Sequence, residues 1–376
     1  MMRCDDTRVL RARRAALMTP GREVIEDAAV AVRAGVVVEA GTWASLAGRH
    51  PGPVTDLGEV TLLPGLVNAH THLELSHVGL PPETGKGFLA WVRWLVAQPV
   101  AQADEASLAS AVAQLEACGT AGVADISSRN TAMVAEALER AGIRAALQFE
   151  RFGHMPDSPL PDVDHSRLHL AGHALYSTAP ESLRAAKAWD SKRGRVFSIH
   201  LAEHPDEAEF LATGRGDFAD FLRARILPPD FAHPGLSAVA WAEALGLLDQ
   251  RTLAVHSVCV SKTDIEILKN RGSSVCLCPR SNAVIGVGAA PARALLDAGV
   301  PCCLGTDSLA SCPDLDLFAE LEALLARTPM TLAEAVGLLS ANAAALYGFP
   351  GLGRVSPGSP ARFAVLPHRL EQALRD

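Results

Sequence analysis

His70 and His72 stand two residues apart in the run Val-Asn-Ala-His-Thr-His, at the end of an apolar stretch that reads as a β-strand. Alternate strand residues point to one face, so both imidazoles can aim at the same point, and neutral ring nitrogens are ligands for a divalent metal. A lone His-x-His is weak, because two unrelated surface histidines produce it as well. Three further positions strengthen it: His200 closes Val-Phe-Ser-Ile-His, His256 closes Thr-Leu-Ala-Val-His, and Asp307 follows Pro-Cys-Cys-Leu-Gly-Thr. Histidine nitrogens with one carboxylate form a set suited to zinc or ferrous iron, with a position left for water. Glu203, three residues past His200, can reach such a water without being a ligand, as a general acid/base does. The plainer reading of Glu203 is a helix N-terminal glutamate favoured by the dipole.

The elements that must position these groups follow from periodicity. From Thr61 onward, eight short apolar runs alternate with amphipathic stretches, among them helices expected near 88–97, 105–118 and 131–141 and others starting at Glu181, Lys262 and Ala290. This texture points to parallel βαβ units closed into an α/β (β/α)8 barrel over residues 61–346. The ligand-type residues then fall at the carboxyl ends of strands one, five, six and eight, the face that carries barrel active sites. The open doubly wound sheet lacks its Gly-rich turn after the first strand. Residues 1–60 read as a small all-β unit, with strands at Ala28–Val32 and Val36–Glu39 between glycine turns, and Ala361–Leu366 can rejoin them. The long connection Glu207–Gln250 carries Phe210, Phe218, Phe221, Phe231 and Trp241; it is a candidate lid or a plain excursion.

Of the 376 residues 49% are hydrophobic and 20% charged, and the net charge is −8. That excludes disorder as the main state and speaks against a nucleic-acid surface. No apolar run reaches the ~20 residues of a membrane span, and no signal peptide opens the chain, so a soluble cytoplasmic protein is expected. Eight cysteines without a Cys-x-x-Cys pair read as buried reduced thiols. Two rival motifs fail. His200-Leu-Ala-Glu203-His204 spells a metalloprotease pattern, but β-type residues precede it and Pro205 disfavours helix at His204. His72-Leu-Glu74 spells the start of a cytidine-deaminase motif, but no Pro-Cys-x-x-Cys follows.

The segments PGLVNAHTHLELS, SIHLAE, VHSV, CPRSN and LGTDS, in this order, resemble the amidohydrolase superfamily, specifically its mononuclear deaminase branch. The resemblance covers most of the chain. It implies a barrel with a small β-sandwich domain from both ends, here 1–60 plus 347–376. It implies one divalent metal per chain, zinc expected and iron the alternative, held by His70, His72, His200 and Asp307. Glu203 and His256 are implied to flank the hydrolytic water, and Asp307 to share in proton transfer. No lysine stands in AGHALYSTAP, where binuclear members carry a carbamylated one. That stretch is similar to the family's H-A-P-Y, with Leu175 in place of proline, which makes His173 a candidate substrate contact. Cys259 stands where many relatives have a second histidine.

HTHLELS with GTDSLAS is most similar to the bacterial aminodeoxyfutalosine deaminases of menaquinone synthesis. The expected function is hydrolytic deamination of an adenine-type nucleoside. The alternatives are an adenosine, S-adenosylhomocysteine or other heterocycle deaminase, a ring amide or halide hydrolase, or a non-catalytic barrel, which the intact ligand set disfavours. A benzoate-bearing nucleoside needs a partner for its ribose, an aromatic wall and an anchor for its carboxylate. Glu74, Trp91 or Trp94, and Arg280, Arg151 or Ser281 are the candidates. The expected partner is a small heterocyclic amine or nucleoside, with no nucleic acid and no membrane; a homodimer is compatible with this reading.

Overall fold

The computed structural model describes residues 7–50, 52–155, 157–228 and 231–374. Among the described residues fourteen strands are formed, in order: β1 (Thr7–Thr19), β2 (Arg22–Arg33), β3 (Val36–Thr42), β4 (Val54–Asp56), β5 (Thr61–Pro64), β6 (Leu66–Thr71), β7 (Thr120–Ser127), β8 (Arg144–Arg151), β9 (Leu168–Ala174), β10 (Phe197–Leu201), β11 (Thr252–His256), β12 (Ser274–Leu277), β13 (Cys302–Leu304) and β14 (Phe363–Val365). By contacts the chain divides into two compact units: Met1–Asn68 with Leu115–Gly122 and Asp316–Asp376, and Ala69–Gln114 with Val123–Leu315.

The first unit carries a six-stranded mixed sheet in the order β14-β5-β1-β2-β3, with β4 also on β1. The C-terminal strand does rejoin the N-terminal ones, since Phe363–Val365 pairs antiparallel with Leu62–Pro64. Period-two alternation explains the two-sided packing. Ala28, Val30 and Val32 of β2 enter one cluster with Ala12, Ala15 and Leu17, while Ala29 and Ala31 enter the other with Val9 and Leu46.

The second sheet has eight strands in the order β6 to β13. All residues of β6, β7 and β10 to β13 are buried, which is why they read as largely apolar runs, as parallel strands covered on both faces do. A parallel bridge between Thr71 and Asp307 joins the first barrel strand to the end of the eighth, with Asp307 N donating to His70 O at 3.0 Å. Glycine is required there: a Cβ on Gly305 would lie 2.7 Å from Cys276 Sγ and 2.8 Å from His70 Cβ. The connection after β10 folds into helices Pro205–Thr213, Asp217–Arg223 and Ala238–Ala244. None of the seven described cysteines forms a disulfide; Cys4 lies outside the described residues. Among the described residues no helix is long and apolar enough to cross a membrane.

Candidate metal centre and active-site cavity

Four ligand-type side chains converge where β6 ends. His70 Nε2 lies 3.2 Å from His72 Nε2 and 3.3 Å from His200 Nε2, and Asp307 Oδ1 is 3.6 Å from the Nε2 atoms of both His70 and His72. The other faces of these groups are already committed. His200 Nδ1 donates to the His173 carbonyl at 2.8 Å, which leaves Nε2 with a lone pair. His256 Nδ1 pairs with Asn282 Oδ1 at 3.0 Å, so its Nε2 also faces inward. Asp307 Oδ2 accepts from Ser281 Oγ at 2.6 Å and Ser311 Oγ at 2.9 Å, which frees Oδ1. Lone pairs facing one another at this spacing repel unless a proton or a cation lies between them, and such backing hydrogen bonds are what orient metal ligands. The donor set therefore fits a divalent cation. His256 lies close enough to share a site with His70 and His200.

Burial disfavours the charged form of His72, His173, His200 and His256. His72 is pushed down to about 3, by desolvation first and then by the neighbouring His70. His173 and His256 fall to about 4 by burial, and His200 falls well below the usual range for the same reason, reinforced by His70. Burial pushes the Asp307 carboxyl up, but His70, His72 and His256 outweigh it and hold the group well below the usual carboxylate range. Glu203 goes the other way: burial, then the Asp307 and Glu207 carboxylates, raise it well above. Its Oε1 is 3.5 Å from His256 Nε2.

The backbone that aims Glu203 is unusual. Seven described non-glycine residues have positive φ, and four of them sit at these strand ends: Ala202, His256, Ser257 and Asp307. Such conformations cost ~1–3 kcal/mol each and persist where the surroundings enforce them. Glu207 supports the turn at Ala202, its Oε2 accepting from Glu203 N at 2.7 Å. His204 is the extended N-cap of helix Pro205–Thr213, its Nδ1 accepting from Glu207 N. Its ring stacks on Phe88 at 3.7 Å, so it does not join a helical metal motif. The importance of Glu207, Asn282 and Ser311 was not read from the sequence, although Glu207, four residues after Glu203, is a visible helix-start glutamate.

A cavity of about 610 Å³ opens from this floor, lined by His72, Glu74, Trp91, Arg151, His173, His200, Glu203, His256 and Asp307 among others. Trp91 is anchored by its Nε1 donating to Ala310 O at 3.0 Å. Arg151 is 5% exposed; its Nη2 donates to Ser158 O, while its buried Nη1 has no hydrogen-bond partner. His173 Nδ1 meets Ser177 Oγ at 2.5 Å. Glu74 lines the cavity, but its carboxylate accepts from Ser128 N and Oγ, Arg129 N and Asn130 N, in the turn that leads into the helix Thr131–Arg140. Trp94, Arg280 and Ser281, expected as contacts, are not among the residues that line the cavity. Arg280 pairs with Asp314 through two hydrogen bonds, and Ser281 serves Asp307 instead. The connection after β10 supplies wall residues, Phe218, Phe221, Leu222, Arg225 and Ile226.

With this geometry in place the relationships are plain. The sequence profile of the amidohydrolase family matches residues 61–373; the chain belongs to that family of metal-dependent enzymes and is a hydrolase of carbon–nitrogen bonds other than peptide bonds. It is 30% identical to the 5-methylthioadenosine/S-adenosylhomocysteine deaminase of Nitratidesulfovibrio vulgaris, covering 96% of this chain and 84% of that one. It is 28% identical to the aminodeoxyfutalosine deaminase of Deinococcus radiodurans, covering 76% and 72%. The fold matches that of Helicobacter pylori aminofutalosine deaminase, solved with methylthio-coformycin, at a TM-score of 0.81 and 22% identity over 95% of this chain and 91% of that one.

Proposed function

We propose that this protein is a hydrolytic deaminase of an adenine-type nucleoside, and that its substrate carries an apolar, acid-bearing tail, with aminodeoxyfutalosine of menaquinone synthesis as the leading compound. His70, His72, His200 and Asp307 would hold one divalent ion, zinc as the proposed metal. When bound, such an ion supplies Lewis acidity that makes water a usable nucleophile near neutral pH.

The chain's own groups supply the proton traffic. Attack of water on the carbon bearing the exocyclic amine places negative charge on the adjacent ring nitrogen. Glu203, whose carboxyl is raised by burial and thus holds a proton readily, takes a proton from the water and delivers it to that nitrogen. His256 Nε2, beside Glu203 Oε1, polarises the water from the opposite side. Asp307 Oδ1 accepts the second proton and passes it to the departing amine, while Ser281 and Ser311 keep Oδ2 fixed. Ammonia leaves and the ring carbonyl remains.

The observation that carries the substrate reading is Arg151. A buried guanidinium nitrogen without a partner, on the wall of a mostly apolar cavity, calls for an acceptor that the ligand brings. The 30% identity to a methylthioadenosine and S-adenosylhomocysteine deaminase favours a second reading, in which those compounds are the substrates. S-adenosylhomocysteine, however, carries an ammonium group next to its carboxylate. The described carboxylates lining the cavity are Glu74, Glu150, Glu203 and Asp307, while Arg129, Arg151 and Arg225 are its cations. Glu74 is occupied and the other three belong to or adjoin the metal floor, so no described acid is placed to receive an ammonium in the tail region. The test is ammonia release by the zinc-loaded enzyme from aminodeoxyfutalosine, adenosine, S-adenosylhomocysteine and methylthioadenosine. A kcat/KM highest for aminodeoxyfutalosine is expected; preference for one of the others replaces the substrate, and no release from any of them removes the deaminase reading.

A further inference from the structure

One ligand of the proposed metal centre has no brace behind its ring. His200, His256 and Asp307 each carry a hydrogen bond on the side away from the centre, and His70 lies inside β6, where Asp307 N donates to its carbonyl. His72 stands one residue past the end of β6. Its ring meets His70 and Asp307 through Nε2, and among the described residues no group pairs with its Nδ1. The direction of the ring is therefore set by the backbone. His72 leaves the strand at φ −124° and ψ 77° and caps a single 3-10 turn, Leu73–Leu75.

So short a turn holds little by itself. Leu75 N donates to His72 O and Ser76 N to Leu73 O, both at 3.1 Å, and these bonds stay within the turn. Leu73 N, by contrast, donates to Asp125 Oδ1 on the neighbouring strand β7 at 2.8 Å. Asp125 is 0% and Leu73 1% exposed, so water does not compete for that bond. The other oxygen of Asp125, Oδ2, is buried without a hydrogen-bond partner. A buried acid with an unmatched oxygen costs stability that an apolar residue would not, and the group Asp125 serves in return is the Leu73 amide. Glu74, one residue further on, is tied through its side chain to Ser128, Arg129 and Asn130. A side-chain tether leaves the peptide plane between His72 and Leu73 free to turn, whereas Asp125 grips that rigid plane at its N–H.

We propose that Asp125 is the positioning residue for His72: by fixing the peptide plane that follows it, Asp125 aims Nε2 at the metal. The proposal rests on the metal-centre reading given above and is independent of which substrate is turned over.

The test is the zinc affinity of the full chain, stripped of metal and titrated in competition with a chromophoric chelator. Wild type is compared with Asp125→Ala, Asp125→Asn, His72→Ala and the double variant of His72→Ala with Asp125→Ala. Asp125→Ala should weaken zinc binding about 10- to 100-fold, the usual loss when the group behind a metal ligand is removed. Asp125→Asn should restore the affinity, because its carbonyl oxygen accepts from Leu73 N in the same way. Burial raises the Asp125 carboxyl well above the usual carboxylate range, which makes the uncharged amide a close match. In the His72→Ala background, Asp125→Ala should cost nothing further, since no ring is left to aim. If Asp125→Ala lacks a native circular dichroism spectrum, Asp125→Leu, of similar shape and without an acceptor, is measured in its place. Wild-type affinity in the variant without an acceptor overturns the proposal. So does a loss in Asp125→Asn as large as in Asp125→Ala. An equal loss with and without His72 also overturns it, and makes Asp125 a general support of the barrel wall. If wild type binds no zinc, or His72→Ala binds it as tightly as wild type, the metal-centre reading itself has failed and this proposal falls with it.

Discussion

The floor and the rim of the cavity are built on opposite principles. At the floor each reactive side chain is held from behind: His200 by the His173 carbonyl, His256 by Asn282, Asp307 by Ser281 and Ser311, and the Glu203 backbone by Glu207. At the rim Val96, Phe152, Met155 and Ile226 are exposed hydrophobics, and Arg129 and Arg225 pair with no described carboxylate. Arg225 lies over the Phe221 ring at 4.2 Å. Catalytic geometry tolerates little displacement, so the floor needs redundant support. Selectivity is a difference of affinities and can rest on a few groups that wait for the ligand. The same family chemistry can therefore persist on this floor while the rim changes substrate.

If that contrast is right, the floor should fail steeply. Glu203→Gln keeps the shape of the side chain and removes its proton transfer, so kcat should fall ~10²- to 10⁴-fold with metal content unchanged by elemental analysis. Near-normal turnover in that variant would take Glu203 out of the mechanism. Glu207→Ala should follow with a loss of about 10- to 100-fold in kcat, because the Glu203 amide loses its acceptor and small displacements of reacting groups carry penalties of that size. Circular dichroism and metal content should stay native; an unchanged kcat would show that the strand end holds itself.

The rim should fail selectively. Arg151→Met removes the charge and keeps a long apolar side chain. For aminodeoxyfutalosine kcat/KM should drop about 10- to 100-fold more than for adenosine, the range expected for a charge-assisted hydrogen bond. Equal losses on both substrates would mean that Arg151 supports the wall through Ser158 and does not read the tail.

The same contrast explains what the sequence disclosed. Each floor residue ends a short apolar run, so strand periodicity alone placed His70, His200, His256 and Asp307 on one face of a barrel. The rim is assembled from side chains far apart in sequence, and its members carry no local signature. Arg280 shows the failure mode. It neighbours Ser281 and Asn282, which turn inward on helix Pro279–Ile285, but one step along a helix rotates a side chain by about 100°, and Arg280 meets Asp314 instead. The first strand escaped for another reason. Thr7–Thr19 carries Arg8, Arg11, Arg13 and Arg14 among small alanines, and only pairing with β2 along most of its length shows which of its residues face a core. Glu207 reads as an ordinary acidic residue until tertiary structure turns its carboxylate back onto the Glu203 amide.

The smallest expected effect separates the two halves by pH. The floor holds histidines, His72, His173, His200 and His256, whose charged form burial disfavours. His173 is the useful probe, because it is not an expected metal ligand and burial lowers its pKa to about 4 from about 6.5 in an unfolded chain. Between these values the unfolded state binds more protons than the native state, so stability rises with pH in that window. It is fully present above about pH 6.5, is lost progressively as pH falls toward 4, and levels off below, where both states are protonated. Metal-free protein is the right material, since bound metal competes with the same protons. Urea unfolding at pH 7 and pH 5 should show a drop in stability that shrinks by roughly 1 to 2 kcal/mol in His173→Asn; the lower figure applies to the extent that the ring, which still borders the cavity, keeps some hydration. Arg225→Gln, a rim substitution, should leave that drop as it is in wild type. If instead His173→Asn preserves the full drop, His173 is already solvated in the native state, and the line between a dry floor and a wet rim has to be drawn below it.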